Sequence, residues 1–184
     1  KFSKNLISKT QVPADGVVRS SAVYEEEPDK KSISISVILL TLKSMLREAK
    51  IRLPRNTEVE ISHHYGIEHF REFGAILITI VNGVYCKKLV VQFPRQKHPY
   101  HYHKRKQETF QVLAGDLSLE IDGHPYRLQE GEIKTVMPNS WHKFDTLDGV
   151  IFEEISSESV SGDSYYEDEK ISKSNSRKTF TKIV

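Results

Sequence analysis

At 184 residues the chain is long enough for one domain with a sizeable buried core. Hydrophobic residues make up 38% and charged residues 28%, an ordinary soluble composition, and a net charge of +2 with interleaved signs excludes a basic nucleic-acid-binding stripe. The single cysteine, Cys86, excludes an intrachain disulfide framework, and no apolar run has the length of a membrane span or the form of a signal peptide, so the expected location is the cytoplasm.

Residues 1–30 are mixed and polar, with Pro13, Gly16 and Pro28 as breakers, and read as an N-terminal arm with one short strand over 16–24. The start at Lys1 rather than Met fits a piece of a longer protein. Ile38, Leu42, Met45 and Leu46 recur at helical spacing and predict an amphipathic helix over 34–50, with Pro54 preventing its extension. A shorter helix is predicted over 67–73, ended by Gly74. The pattern then turns to strands over 75–81, 85–93, 108–113, 117–121, 126–128, 133–137, 141–145 and 150–155, separated by turn residues. Asp122-Gly123 between two of them is a tight-hairpin signal. Cys86 falls within an apolar strand and reads as a small packed residue. Short strands at this spacing predict a mainly β fold, a barrel or jelly roll. The predicted organisation is an arm at 1–30, a β domain with its preceding helices at 31–158, and an extended or disordered C-terminal tail at 159–184 with an anchor at Tyr165 and Tyr166.

The chemistry concentrates in the run from His101 to Glu108. On a strand, residues i and i+2 share a face, so His101 and His103 can aim two imidazoles at one point, and Glu108 opens the next strand beside them. His142 follows Gly131 and Pro138 at the start of another strand and is the expected fourth ligand. Three imidazoles and a carboxylate suit one divalent ion of manganese, iron, nickel, cobalt or zinc. The spacing resembles the two signature motifs of the cupin superfamily. The first, H-x-H, four residues, E, six residues, G, is matched at His101, His103, Glu108 and Gly115. The second is matched at Gly131, Pro138 and His142. Two positions depart from the pattern. Arg95 stands where the first motif begins with Gly, and Asn139 stands where Gly is common in the second. The resemblance implies a cupin β-barrel.

A closer resemblance covers roughly residues 35–170. The runs beginning at Ser62, Lys97, Phe152 and Asp163 look like the cupin domain attached to some bacterial sialic acid (nonulosonate) synthase-like proteins, and are similar to D-lyxose isomerase-type cupins. In the latter the first motif reads H-x-H-x-x-K-x-E, which His101, His103, Lys106 and Glu108 match. The resemblance implies ketol-isomerase chemistry on a sugar or sugar-acid, with Lys106 and Glu154 moving the proton. Burial is expected to lower the Lys106 pKa. Strand alternation separates Phe152 and Glu154 from Ile151, Glu153 and Ile155, and the apolar pair looks like the better core face, so alternation alone leaves the facing of Glu154 open. His98 and Tyr100 are candidates for the pocket mouth, and Tyr102 should point outward. Of His63 and His64, one is expected to be packed or capping and the other exposed, and His124 to be solvated in a turn. The alternative readings are a non-catalytic sugar-binding or oligomerisation module beside a synthase, and an iron-dependent oxygenase. The expected partners are a small-molecule sugar and a second copy of the chain as a homodimer, with no nucleic acid and no membrane.

Overall fold

The computed structural model describes residues 30–157 and 159–183. The N-terminal arm and its expected strand lie outside the described residues. Helix α1 (Lys30–Glu48) presents Ile38, Leu42 and Leu46 as one buried stripe. It stops before Pro54 acts. Lys50 adopts a left-handed conformation (φ 56°), and Ile51 N–H donates to the Leu46 carbonyl at 2.9 Å, closing the helix end.

The remainder is mainly β. Strand β1 (Thr57–His63) went unread in the sequence because it lies among charged residues. A single 3-10 turn, Ile67–His69, replaces the predicted helix over 67–73. Then come β2 (Gly74–Asn82), β3 (Cys86–Gln92) and β4 (Lys97–Tyr102). The two strands predicted over 108–113 and 117–121 are one, β5 (Glu108–Ile121). It is followed by β6 (His124–Gln129), β7 (Ile133–Val136), β8 (His142–Asp145) and β9 (Val150–Ser156). The β5–β6 turn has positive φ at Asp122 (49°) and Gly123 (79°), the hairpin geometry the Asp-Gly pair signals.

The expected tail is folded. Tyr165–Tyr166 forms β10 on β4, Asp168 caps helix α2 (Glu169–Lys173) by accepting from Lys170 N–H at 2.9 Å, and β11 (Lys178–Ile183) pairs with β1. Its polar composition hid it: β11 alternates half-buried with exposed positions and contributes little apolar pattern.

The antiparallel sheet runs β10-β4-β8-β5-β9-β3-β2-β1-β11, with β6 and β7 also on β5. It curls because β5 changes partners along its length. Residues 108–115 pair with β9, and residues 116–121 pair with β6 and β8. The change falls at an irregularity between Val112 and Ala114 and at Gly115, whose φ is +83° and where a Cβ would overlap the Gly149 carbonyl oxygen. Two apolar layers result. One lies under α1 and includes Ile61, Ile76, Val91 and Ile151. The other fills the concave side with Val90, Phe110, Phe144 and Phe152.

Candidate metal centre

Four side chains converge on the concave face. His101 comes from β4, His103 from the residue after its end, Glu108 from the start of β5 and His142 from the start of β8. Register explains the meeting, since His101 and His142 are cross-strand partners. All four are buried, and one ligand atom from each lies within 4.8 Å of the others.

Hydrogen bonds fix which nitrogens point inward. Nδ1 of His101 contacts the Pro99 carbonyl at 3.0 Å, Nδ1 of His142 contacts the Ser140 carbonyl at 3.0 Å, and Nδ1 of His103 contacts the Asp163 carbonyl. A carbonyl only accepts, so each Nδ1 carries the proton and each Nε2 presents a lone pair. Nε2 of His142 then sits 3.1 Å from Oε2 of Glu108, and Nε2 of His103 sits 3.3 Å from Oε1. His142 Nε2 and Glu108 Oε2 are buried with no hydrogen-bond partner among the described residues. Converging lone pairs repel one another unless a cation lies between them, so the donor set fits a divalent ion. Burial, reinforced by His142, holds the His101 imidazole well below its ordinary pKa and keeps it neutral, the state a ligand needs.

Lys106 and Glu154 flank the cluster. Lys106 Nζ lies 2.5 Å from Glu108 Oε1 and 2.9 Å from Glu154 Oε1. Both residues are only 7% exposed, so Lys106 is not part of a solvated charge run. Glu154 faces the concave side because its register partner is Phe110, and Ile151 on the opposite parity packs beneath α1. Both faces of β9 are covered, which is why alternation did not assign them. The expected fall in the Lys106 pKa is corrected. Burial pushes it down, but the Glu154 and Glu108 carboxylates outweigh burial and raise it above the usual lysine value. The pairing works in return on Glu108: burial pushes its carboxyl up, and the Lys106 ammonium holds it well below the carboxylate range.

Of the two residues expected at the pocket mouth, the structure brings in one. The β4–β8 register shifts between His98 and His101, so both histidines face inward although they differ in parity. His98 lines the cavity and stacks on Phe144 at 4.4 Å. Tyr100 is left outside, stacked on Trp141 at 5.4 Å and absent from the cavity wall. Tyr102 also faces away, between Trp141 and Tyr165. His63 and His64 are both buried: His63 Nε2 meets Thr179 Oγ1 of β11 at 2.9 Å, and His64 stands edge-on to His98 at 4.5 Å. The folded C-terminal segment covers what would otherwise be open.

Three residues take roles at the site that the sequence did not assign. Asp163 receives backbone N–H groups of Lys104, Arg105 and Lys106 on its carboxylate at 3.1 to 3.2 Å while its carbonyl holds His103. Lys88 reaches Glu154 at 3.5 Å. Tyr166 stacks on His101 at 5.4 Å. Tyr166 was expected only as an anchor of the tail and Asp163 only as part of a run of resemblance, neither with a role at the site; Lys88 carried no signal. The cavity over the cluster measures about 560 Å³ and is walled by His98, Lys106, Glu154, Phe110, Phe144 and the 159–164 loop among others. That is the size of a small-molecule site.

Comparison with known proteins places these features. The family model for the cupin domain matches residues 89–150. The chain is 31% identical over 147 residues to the D-lyxose ketol-isomerase of a Thermofilum species, an alignment covering 63% of this chain and 81% of that one. It is 29% identical to the D-lyxose/D-mannose isomerase of Thermosediminibacter oceani, covering 68% and 86%. Among solved structures, the L-ribose isomerase of Cellulomonas parahominis with L-psicose superposes with a TM-score of 0.64 over 77% of this chain and 94% of that one, at 14% identity, a likeness of fold.

Proposed function

The chain belongs to the cupin family, together with the D-lyxose ketol-isomerase it matches, and from that premise we propose that it interconverts an aldose and a ketose with a divalent metal ion held by His101, His103, Glu108 and His142. The observation that carries the proposal is the buried Lys106–Glu154 pair set against the ligand cluster. Aldose–ketose conversion moves one proton between C1 and C2 and another between O1 and O2. It needs a base over the carbons and an acid beside the oxygens. When bound, the ion supplies Lewis acidity that stabilises negative charge developing on the sugar oxygens.

Glu154 is the base, a carboxylate on the cavity wall. Lys106 is the cation beside it. The charges of Glu154 and Glu108 keep it an ammonium, suited to donating a proton to O1 and recovering one from O2, while Glu154, 2.9 Å away, carries the carbon proton from C2 to C1. Lys88 steadies Glu154 from the other side. His98 lines the sugar's approach as a neutral imidazole, its pKa lowered by burial and by His64. Phe110 and Phe144 exclude water from beneath the reacting carbons. We place the substrate among the sugars or sugar-acids of sialic-acid-like carbohydrate biosynthesis, on the resemblance of the runs at Ser62 and Asp163.

The test is reconstitution. Protein stripped with chelator and reloaded with manganese or cobalt should interconvert lyxose with xylulose or mannose with fructose. Lys106→Ala should abolish turnover at unchanged metal content. Full turnover by Lys106→Ala removes that residue from the mechanism, and binding of sugars without conversion by the loaded protein refutes the isomerase reading.

A further inference from the structure

The cavity wall has a cation that the isomerase chemistry does not use. Lys106 is matched to Glu108 and Glu154, Lys88 to Glu154, and Lys178 to Glu60 at 2.8 Å. Arg177, just ahead of β11, has no carboxylate partner among the described residues. Its Nη1 donates to the Tyr166 hydroxyl at 3.0 Å, and its guanidinium carbon lies 5.0 Å from the centre of the Tyr166 ring. The phenol therefore holds the guanidinium in place without neutralising it. Arg177 lines the same cavity as the metal cluster.

Its distance from the cluster is set by stacking. His101 stacks on Tyr166 at 5.4 Å, and the Arg177 guanidinium lies 5.0 Å from the same ring, so the cation and a candidate ligand share one aromatic neighbour. A linear sugar whose reacting end lies at the cluster brings its far end toward this position. Ser174 and Asn175 join Arg177 on that wall and offer neutral hydrogen-bonding groups. A divalent ion adds positive charge to a wall whose other cations are already paired. A neutral sugar leaves Arg177 without a counter-charge, whereas an anion supplies one.

We propose that the substrate carries an oxyanion, a carboxylate or a phosphate, at the end remote from its carbonyl, and that Arg177 is the specificity-determining residue that binds it. The proposal rests on the isomerase reading for the orientation of the sugar, but binding tests it without turnover. Calorimetry on manganese-loaded protein compares mannose, mannuronate and mannose 6-phosphate. At least one charged ligand should bind about tenfold or more tightly than mannose, with affinity falling as salt rises. The charged ligand that shows this advantage identifies the carboxylate or the phosphate as the group read. In Arg177→Gln the ratio of charged to neutral affinity should fall to about one, and Arg177→Lys should recover part of it. Metal content and melting temperature confirm that each variant is folded. Equal affinity for all three sugars, or an undiminished ratio in Arg177→Gln, overturns the proposal. Conversion of neutral sugars with no charged preference leaves the isomerase reading standing while refuting this one; a charged preference without conversion does the reverse.

Discussion

At the residue scale, the geometry of the cluster is controlled by hydrogen bonds behind the ligands. Each candidate imidazole is oriented by a backbone carbonyl, so the nitrogen that faces the centre is decided before any ion arrives. Glu108 supplies the only carboxylate in the set. Glu108→Gln should retain the fold, remove one charge and lower metal occupancy from about one per chain to a small fraction, read by elemental analysis after dialysis. His64 gives a prediction of the opposite kind. Burial, with Arg177 contributing, lowers its pKa from 6.5 to about 3. The folded state thus resists a proton that the unfolded chain accepts, so its contribution is fully present above the unfolded pKa. As pH falls from about 6.5 toward 3, stability should drop by roughly 1.4 kcal/mol per pH unit for this one group. Denaturant melts of wild type and His64→Gln at pH 7 and pH 5 check this: the substitution should flatten the decline.

At the element scale, β5 decides the site. Its first half holds Glu108 against β9, its second half pairs with β8, and the switch lets β8 bring His142 over Glu108. Gly115 permits the switch. Gly115→Ala puts a methyl on the Gly149 carbonyl at a left-handed φ, and should cost about 2–4 kcal/mol in denaturant unfolding. The same element shows where sequence reading stopped. Gly115 and Asp116 read as a turn between two strands because turn residues mark hairpins and strand bends alike. The hairpin at Asp122-Gly123 was legible, since two flanking apolar runs framed it. In β4, parity gives the right face for His101, His103 and Tyr102 and also argues against Tyr100 in the pocket, but it puts His98 outside, because a register shift has no residue signature there. The two departures from the cupin motifs prove local: Arg95 and Asn139 both have φ of 67°, the conformation that makes Gly usual at such positions.

At the scale of the whole molecule, the ligand spacing and the strand pattern announced the barrel and its four converging donors. The folded C-terminal segment did not show itself, since short polar strands gain stability from the sheet they join rather than from their own apolar pattern. Asp163, Tyr166 and Arg177 come from that segment, so the part of the site most distant from the metal motifs is the part whose roles the sequence left unassigned. The surface also bears on assembly. Val37 and Leu40 of α1 are 39% and 67% exposed, an apolar strip on the side of the helix turned from the sheet. The homodimer predicted here should elute from gel filtration at twice the chain mass, and Leu40→Glu should shift it toward the monomer; elution of wild type at monomer mass contradicts it.

The pairing of β11 with β1 has a consequence for the order of events at the ribosome. Thr57 waits for Ile183 across most of the chain. Every candidate metal ligand has been translated by His142, whereas Arg177 and the strand after it emerge later than any other described strand. Until then β1 has an open edge, exposed to other nascent chains. A growing polypeptide therefore completes the candidate ligand cluster before it makes Arg177, and chaperone contacts during synthesis should concentrate on β1 in that interval.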